Sequence, residues 1–286
     1  MPEGVEGSNA SAEIVTLMRD GQWAFDLLGP GFLDEMVRRV QGTSGEERPR
    51  LQALPSYRLA ALALKVVDRD VAFAGEDGAS RLLDLNGGEQ PPAFWRALLH
   101  SFNTGGYRPD TPQVDYCRPT AAHHQALDAA LAILKERAPR THAAFTTWLT
   151  RIMVVQGAQQ GGSSPRFFGC ILQPANLFTI SPRLFASELV HELAHQEIFV
   201  LNAYDRLTAP EGDEVWRFSP FPRLSRPTMG RLHAAHALFR IIQLSRQTGE
   251  GTFIKRSKLR RTARSFKKGE LTPLGHTLVN EVYRNA

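Results

Sequence analysis

Cysteine is almost missing from this chain. Cys117 and Cys170 are the only two, far apart and in no paired spacing, which excludes a disulfide framework and a cysteine-based metal site and leaves reduced, structural thiols as the expectation. Long apolar runs are missing too: none approaches the ~18 residues that would cross a bilayer. Residues 1–13 have neither the basic start nor the apolar centre of a signal peptide, so the expectation is a cytoplasmic protein with no membrane partner. Acid is absent from one stretch, residues 255–268, where Lys255, Arg256, Lys258, Arg260, Arg261, Arg264, Lys267 and Lys268 stand together. Without these eight the formal charge of +5 becomes −3, so the basicity is local and argues against a dedicated nucleic-acid-binding fold.

What is present suits a globular protein of one or two domains, with 286 residues, 42% hydrophobic and 22% charged. Residues 1–13 offer little to bury and read as a loose terminus. From residue 14 to about 40, Val15, Leu17, Met18, Trp23, Phe25, Leu28, Phe32, Leu33 and Met36 recur at helical intervals, which predicts a helical pair broken at Gly29-Pro30-Gly31. Further helices are expected over 51–71, 94–102, 121–134 and 142–150, with a turn-rich stretch at 105–119. After Arg151 the period changes. Residues 152–155 and 167–172 are short apolar runs that predict a hairpin with a long mobile loop over 157–165, and 177–180 is a candidate third strand. That loop lacks phosphate-loop spacing and reads as a plain connection, or alternatively as a flexible lid.

The pattern with chemical content is His191-Glu192-Leu193-Ala194-His195, inside a helix expected over 185–203 that starts at Ser181-Pro182. Imidazoles at i and i+4 share one helix face and can grip one divalent metal, with the Glu projecting beside them. A third ligand is needed. The metzincin extension would require Gly at 198 and His at 201, where this chain has Ile198 and Leu201, so that family is excluded. The acids Glu211, Asp213 and Glu214 lie in what reads as a loop. His233 and His236 lie in a helix expected over 229–244, on a face that Arg240 shares, and at least one can point back at a metal; His233, His236 and a carboxylate all stay open as the third ligand.

Three further stretches accompany the motif: Trp216 to Pro227 with its Ser-Pro and Arg-Pro steps, Gly230-x-Leu-His233, and Gly269-Glu-Leu-Thr-Pro-Leu-Gly275. With Leu189-Val-His-Glu-Leu-Ala-His195 they resemble the H-E-x-x-H peptide-modification family, understood as iron(II) and 2-oxoglutarate-dependent β-hydroxylases of ribosomally made peptides. The resemblance covers residue 178 onward. It implies His191, His195 and His233 as metal ligands and Arg226 as the grip on the cosubstrate carboxylate, with Arg217 and Arg223 competing for that role. Imidazoles suit Fe(II), and a guanidinium matches a carboxylate bidentately.

The expectation is therefore a predominantly helical α+β protein with a small hairpin or sheet next to the metal-binding helix. It has a helical region over 1–150 and a metal-binding catalytic region over 151–286. The activity expected is Fe(II)/2-oxoglutarate-dependent hydroxylation at the β-carbon of a residue in a precursor peptide, with no obligate nucleic acid. The alternative is a zinc metalloprotease, in which Glu192 is the general base on a metal-bound water; in the hydroxylase Glu192 orients a His or the substrate instead. The basic run 255–268 reads as a solvated face or loop, or else as an attractor of acidic peptide. A cap at Thr272-Pro273 predicts a last helix to about 284.

Overall fold

The computed structural model describes residues 6–41, 48–74, 80–85, 92–104, 113–157, 161–220 and 223–286, with all their side chains except those of 6–11, 41 and 223. The chain is a predominantly helical α+β protein, its strands forming one four-stranded sheet and one two-stranded hairpin. Among the described residues no helix is long and apolar enough to cross a membrane. Two compact units interleave along the chain: one gathers Gly31–Leu134 and Phe145–Glu192, the other Met1–Pro30, Lys135–Ala144 and Leu193–Ala286.

The first unit holds the four-stranded sheet, in the order Asp115–Tyr116, Arg151–Gln156, Cys170–Pro174, Gly162–Ser163. Its central pair is parallel, with Arg151 opposite Cys170 and Val155 opposite Pro174, where the sequence led us to expect a hairpin. Both runs are apolar on both faces: Ile152, Met153, Val154, Val155 and Ile171 are fully buried. That is the composition of parallel strands covered on two sides, and residues 157–169 give enough chain for the crossover. The crossover carries the short edge strand Gly162–Ser163, antiparallel to Cys170–Pro174, and a 3-10 turn Pro165–Phe167. Residues 158–160 of the expected loop lie outside the described residues. The candidate third strand at 177–180 is instead part of a 3-10 helix, Ala175–Thr179, which starts directly after Pro174.

One face of this sheet packs on Tyr57, Phe94, Trp95, Leu98 and Phe167, with Phe94 edge-on to Trp95 at 4.9 Å between ring centroids. The single helix expected over 51–71 is three short ones, Arg48–Gln52, Ser56–Ala63 and Arg69–Phe73. Pro55 interrupts the first, Lys65 turns left-handed at φ 55°, and the Asp68 side chain caps the third by accepting from Val71 N at 2.9 Å. Residues 105–112 of the turn-rich stretch lie outside the described residues.

The other unit is built around the helix Thr228–Gln247, whose Leu232, Ala235, Ala237 and Ile242 are fully buried. The helix Glu6–Arg19 begins inside the stretch expected to be loose, because Ile14, Val15 and Met18 form a buried stripe that anchors it. The expected break at Gly29-Pro30-Gly31 falls inside a continuous helix, Phe25–Gln41. Pro30 lies early in it and forfeits one backbone bond, while the real break is at Gly21, whose φ of +76° suits glycine. Most of the basic run lies in a helix, Phe253–Arg264, held by buried Leu259, Thr262 and Ala263; Lys255 pairs with Glu250, Arg256 donates to the Ala286 carbonyl, and Lys267 and Lys268 lie beyond the helix end. After Thr272, whose hydroxyl accepts from Gly275 N at 3.3 Å, the helix Pro273–Thr277 passes into a π-helical turn, Leu278–Tyr283. Both cysteines are free thiols, Cys170 buried and Cys117 partly so.

Candidate metal centre

The helix Pro182–Tyr204 carries the H-E-x-x-H. Ser181 begins it: its carbonyl accepts from Phe185 N at 2.9 Å and its hydroxyl from Leu184 N at 3.4 Å, with Pro182 supplying the fixed φ of a first turn. Leu189, Val190, Leu193, Ala194, Ile198 and Leu201 are buried, so the helix is held in register by packing on several sides. Against that apolar background His191 and His195 lie half-buried on one face, one turn apart. The ligand atoms of His191, Glu192 and His195 all lie within 4.8 Å of one another.

His195 has a further neighbour. Its Nδ1 lies 3.0 Å from Nδ1 of His233, on the helix Thr228–Gln247, and the Phe199 ring sits 5.1 Å from the His233 ring. Two nitrogens each about 2.1 Å from one ion and at right angles around it are about 3.0 Å apart. The His195–His233 spacing is therefore one that two imidazole ligands of a single divalent ion can take, while the group of possible ligands within 4.8 Å of one another is His191, Glu192 and His195, without His233.

Glu192 differs from its two histidine neighbours in being 2% exposed. Burial pushes its carboxyl up to about 8, and the nearby charge of Glu188 adds to the rise. The Ser163 hydroxyl is close enough to temper the rise, yet falls short of full hydrogen-bond geometry. Glu188, one turn earlier, is also raised, by its own burial.

His236 is committed elsewhere. Its Nε2 lies 2.7 Å from Glu197 Oε2 and its Nδ1 3.0 Å from the Tyr283 hydroxyl, so both ring nitrogens are taken. Burial lowers the His236 pKa in spite of Glu197, so the ring is neutral, donating to Glu197 from Nε2 and accepting from Tyr283 at Nδ1. Glu197, fully buried, also accepts from Ala24 N at 2.6 Å and from Arg240. Burial alone would raise its pKa; the Arg240 guanidinium and His236 overcome this and hold it down at about 2.

The arginines separate in the same way. Arg217 and Arg226 lie directly opposite each other in the hairpin Trp216–Pro220/Arg223–Pro227, so their side chains leave the same face. Arg217 donates from Nε to Glu270, whose other oxygen takes the buried Arg231 at 2.7 Å. Arg226 is half-buried. The Arg223 side chain lies outside the described residues.

Glu197, Glu270, Gln173 and Ser163 were not singled out by the sequence reading. For Glu197 there was a signal: His236 and Arg240, at i and i+4, form one polar stripe on an otherwise apolar helix and need a buried acid to face. For Gln173, a glutamine within an apolar strand run was the only hint. Comparison with protein-family models gives no match to this chain, and comparison with curated proteins gives none either.

Proposed function

We propose that this protein is an Fe(II)- and 2-oxoglutarate-dependent hydroxylase acting at a β-carbon of a ribosomally made precursor peptide, working in the cytoplasm. The observation that supports the reading is the approach of His233 to His195 at 3.0 Å, His195 being also one of the close group His191, Glu192 and His195. His191, His195 and His233 would hold the metal; with 2-oxoglutarate and O₂ it supplies the oxidation of an unactivated carbon.

The chain's own residues do the rest. The packed helices fix the imidazoles in place, so the ligand geometry does not depend on a loop. Arg226 would grip the cosubstrate carboxylate, as the resemblance implies, its guanidinium matching a carboxylate bidentately. Glu192 would orient a His or the substrate peptide, and the Phe199 ring lies 5.1 Å from the His233 ring.

A zinc metalloprotease is the second reading, favoured by one observation: Glu192 lies in the same group as His191 and His195, where it could take a proton from a metal-bound water. Glu192→Gln separates the two. In a protease it retains metal and loses turnover by orders of magnitude; in the hydroxylase turnover falls without vanishing.

A further inference from the structure

The helix Phe253–Arg264 turns its apolar residues inward, and on its outer side lies a groove of about 620 Å³ lined by Phe253, Arg256, Arg260, Arg261 and Arg264 and by no acid. Arg256 is held in place, donating from Nε to the Ala286 carbonyl at 2.8 Å. Arg260, Arg261 and Arg264 are exposed, and among the described residues none of the three has a hydrogen bond or ion pair. Other cations of this unit are answered: Lys255 by Glu250 at 3.2 Å, and Arg231 by Glu270 at 2.7 Å. Like charges four residues apart on a helix repel. Arg261 and Arg264 suit the last turn, where they face the negative end of the helix dipole, but the dipole does not account for Arg256 and Arg260.

The spacing of the row says what fits it. Arg256, Arg260 and Arg264 recur every four residues, so they stand about 6 Å apart along the axis in a stripe about 12 Å long. In an extended peptide, side chains two residues apart leave the same side at about 6.6 Å, close to that repeat. A guanidinium takes a carboxylate bidentately. Where the charge stops, at the head of the groove, Phe253 is 85% exposed and offers an apolar surface.

We propose that this groove docks an acidic peptide segment, whose carboxylates at alternate positions pair with Arg256, Arg260 and Arg264 and whose apolar side chain beyond them packs on Phe253. A long polyanion such as nucleic acid is less suited, because the row is short and the chain outside residues 255–268 carries a net −3. A bilayer is less suited too. An interfacial helix puts its apolar face into lipid, whereas Leu259, Thr262 and Ala263 are buried in the protein. The docking stands on charge and spacing; that the segment belongs to the peptide acted upon rests on the function proposed above.

The test titrates the full-length, metal-free protein into fluorescent peptides and reads anisotropy. The probes are Leu-Ser-Glu-Ser-Glu-Ser-Glu and its reverse, since the groove could be followed in either direction, with versions in which Gln replaces Glu, a mixed-sequence DNA single strand, and phosphatidylserine vesicles as a competitor. The expected result is saturable binding of at least one acidic peptide and none of its Gln version. Arg260→Gln/Arg264→Gln should weaken it about tenfold, whereas Lys267→Gln/Lys268→Gln, which removes the same charge from the same run outside the groove, should change it by less than about twofold. Phe253→Ser should erase the preference for leucine over serine at the peptide's end. Both arginines are exposed and unpaired, so their variant should keep the wild-type thermal melt. Silence of both acidic peptides, equal losses in the two double variants, or binding confined to the DNA or the vesicles overturns the docking site. Such a failure would leave metal binding and 2-oxoglutarate dependence untouched, and a failure of the hydroxylase reading would leave the peptide titration standing.

Discussion

Arg240 grips Glu197 with two parallel contacts in the interior, Nε to Oε2 at 2.7 Å and Nη2 to Oε1 at 2.5 Å, while its guanidinium lies 4.2 Å from the ring of Trp23. Both side chains are at most 1% exposed. An ion pair this deep is costly to break from one side, because the remaining charge has no water to fall back on. Arg240 also donates to the Gln22 carbonyl at 2.8 Å, so the pair ties the helix Pro182–Tyr204 and the helix Thr228–Gln247 to the start of the chain. Those are the two helices that bear His195 and His233.

Acid should expose this pair. A carboxylate held below its unfolded value contributes its full stability above about pH 4.5 and loses it as the pH falls through the folded value. For Glu197, lowered from 4.5 to about 2, the loss is on the order of 3 kcal/mol across that window. Urea denaturation from pH 7 down to pH 3 should show stability falling below about 4.5 in the wild type. In Glu197→Gln it should start lower by about 3–5 kcal/mol at neutral pH and fall less steeply below pH 4.5. Parallel curves for the two proteins would contradict the role given to Glu197.

The two histidines of the helix Thr228–Gln247 should part company. His233→Ala should weaken Fe(II) binding, read by elemental analysis after anaerobic dialysis, with His191→Ala and His195→Ala abolishing it. His236→Ala should keep the metal and lower the melting temperature, since it strips partners from Glu197 and Tyr283. Loss of metal in His236→Ala with retention in His233→Ala would reverse the assignment.

Much of this was legible beforehand, and the reason is periodicity. The helix bearing His191 and His195 announces itself through apolar residues on several sides, whereas His233 and His236 share a face by spacing and only the resemblance favours His233; the structure sends His236 to Glu197 and His233 to His195. The order of the strands was not legible, because the buried runs 152–155 and 170–172 look alike whether they pair parallel or antiparallel. Only the path of residues 157–169 decides, and its turn at Gly169, φ +91°, is invisible in composition. The Glu197 and Glu270 clusters were equally hidden, since their partners come from distant parts of the chain: Ala24 and Arg240 for Glu197, Arg217 and Arg231 for Glu270.

The arginines of the hairpin give a third expectation. Arg226→Ala should raise the apparent KM for 2-oxoglutarate, by an amount equivalent to about 2–5 kcal/mol of lost binding, and leave metal content unchanged. Arg217→Ala should act on stability instead, because it leaves Glu270 with Arg231 as its remaining guanidinium partner among the described contacts. Thermal melts alongside cosubstrate titrations separate the two effects. Equal and small changes in KM for both variants would place the cosubstrate elsewhere.

Glu192 gives the fourth. Glu192→Gln keeps the shape of the side chain and removes its acid, so metal content should hold and 2-oxoglutarate turnover should fall by roughly tenfold to a hundredfold, the range typical for a group that orients a metal ligand. Complete loss of turnover with metal intact would assign Glu192 to proton transfer.

The central claim is that turnover consumes 2-oxoglutarate and adds oxygen to a peptide. The direct measurement incubates the protein with Fe(II), ascorbate, 2-oxoglutarate and a candidate precursor peptide, then follows peptide mass and succinate together. The account predicts a peptide heavier by one oxygen atom, one succinate for each, and neither product when 2-oxoglutarate is left out. A peptide cut in two by the Zn(II)-loaded protein without 2-oxoglutarate, with cutting lost in Glu192→Gln, would contradict it and establish the protease.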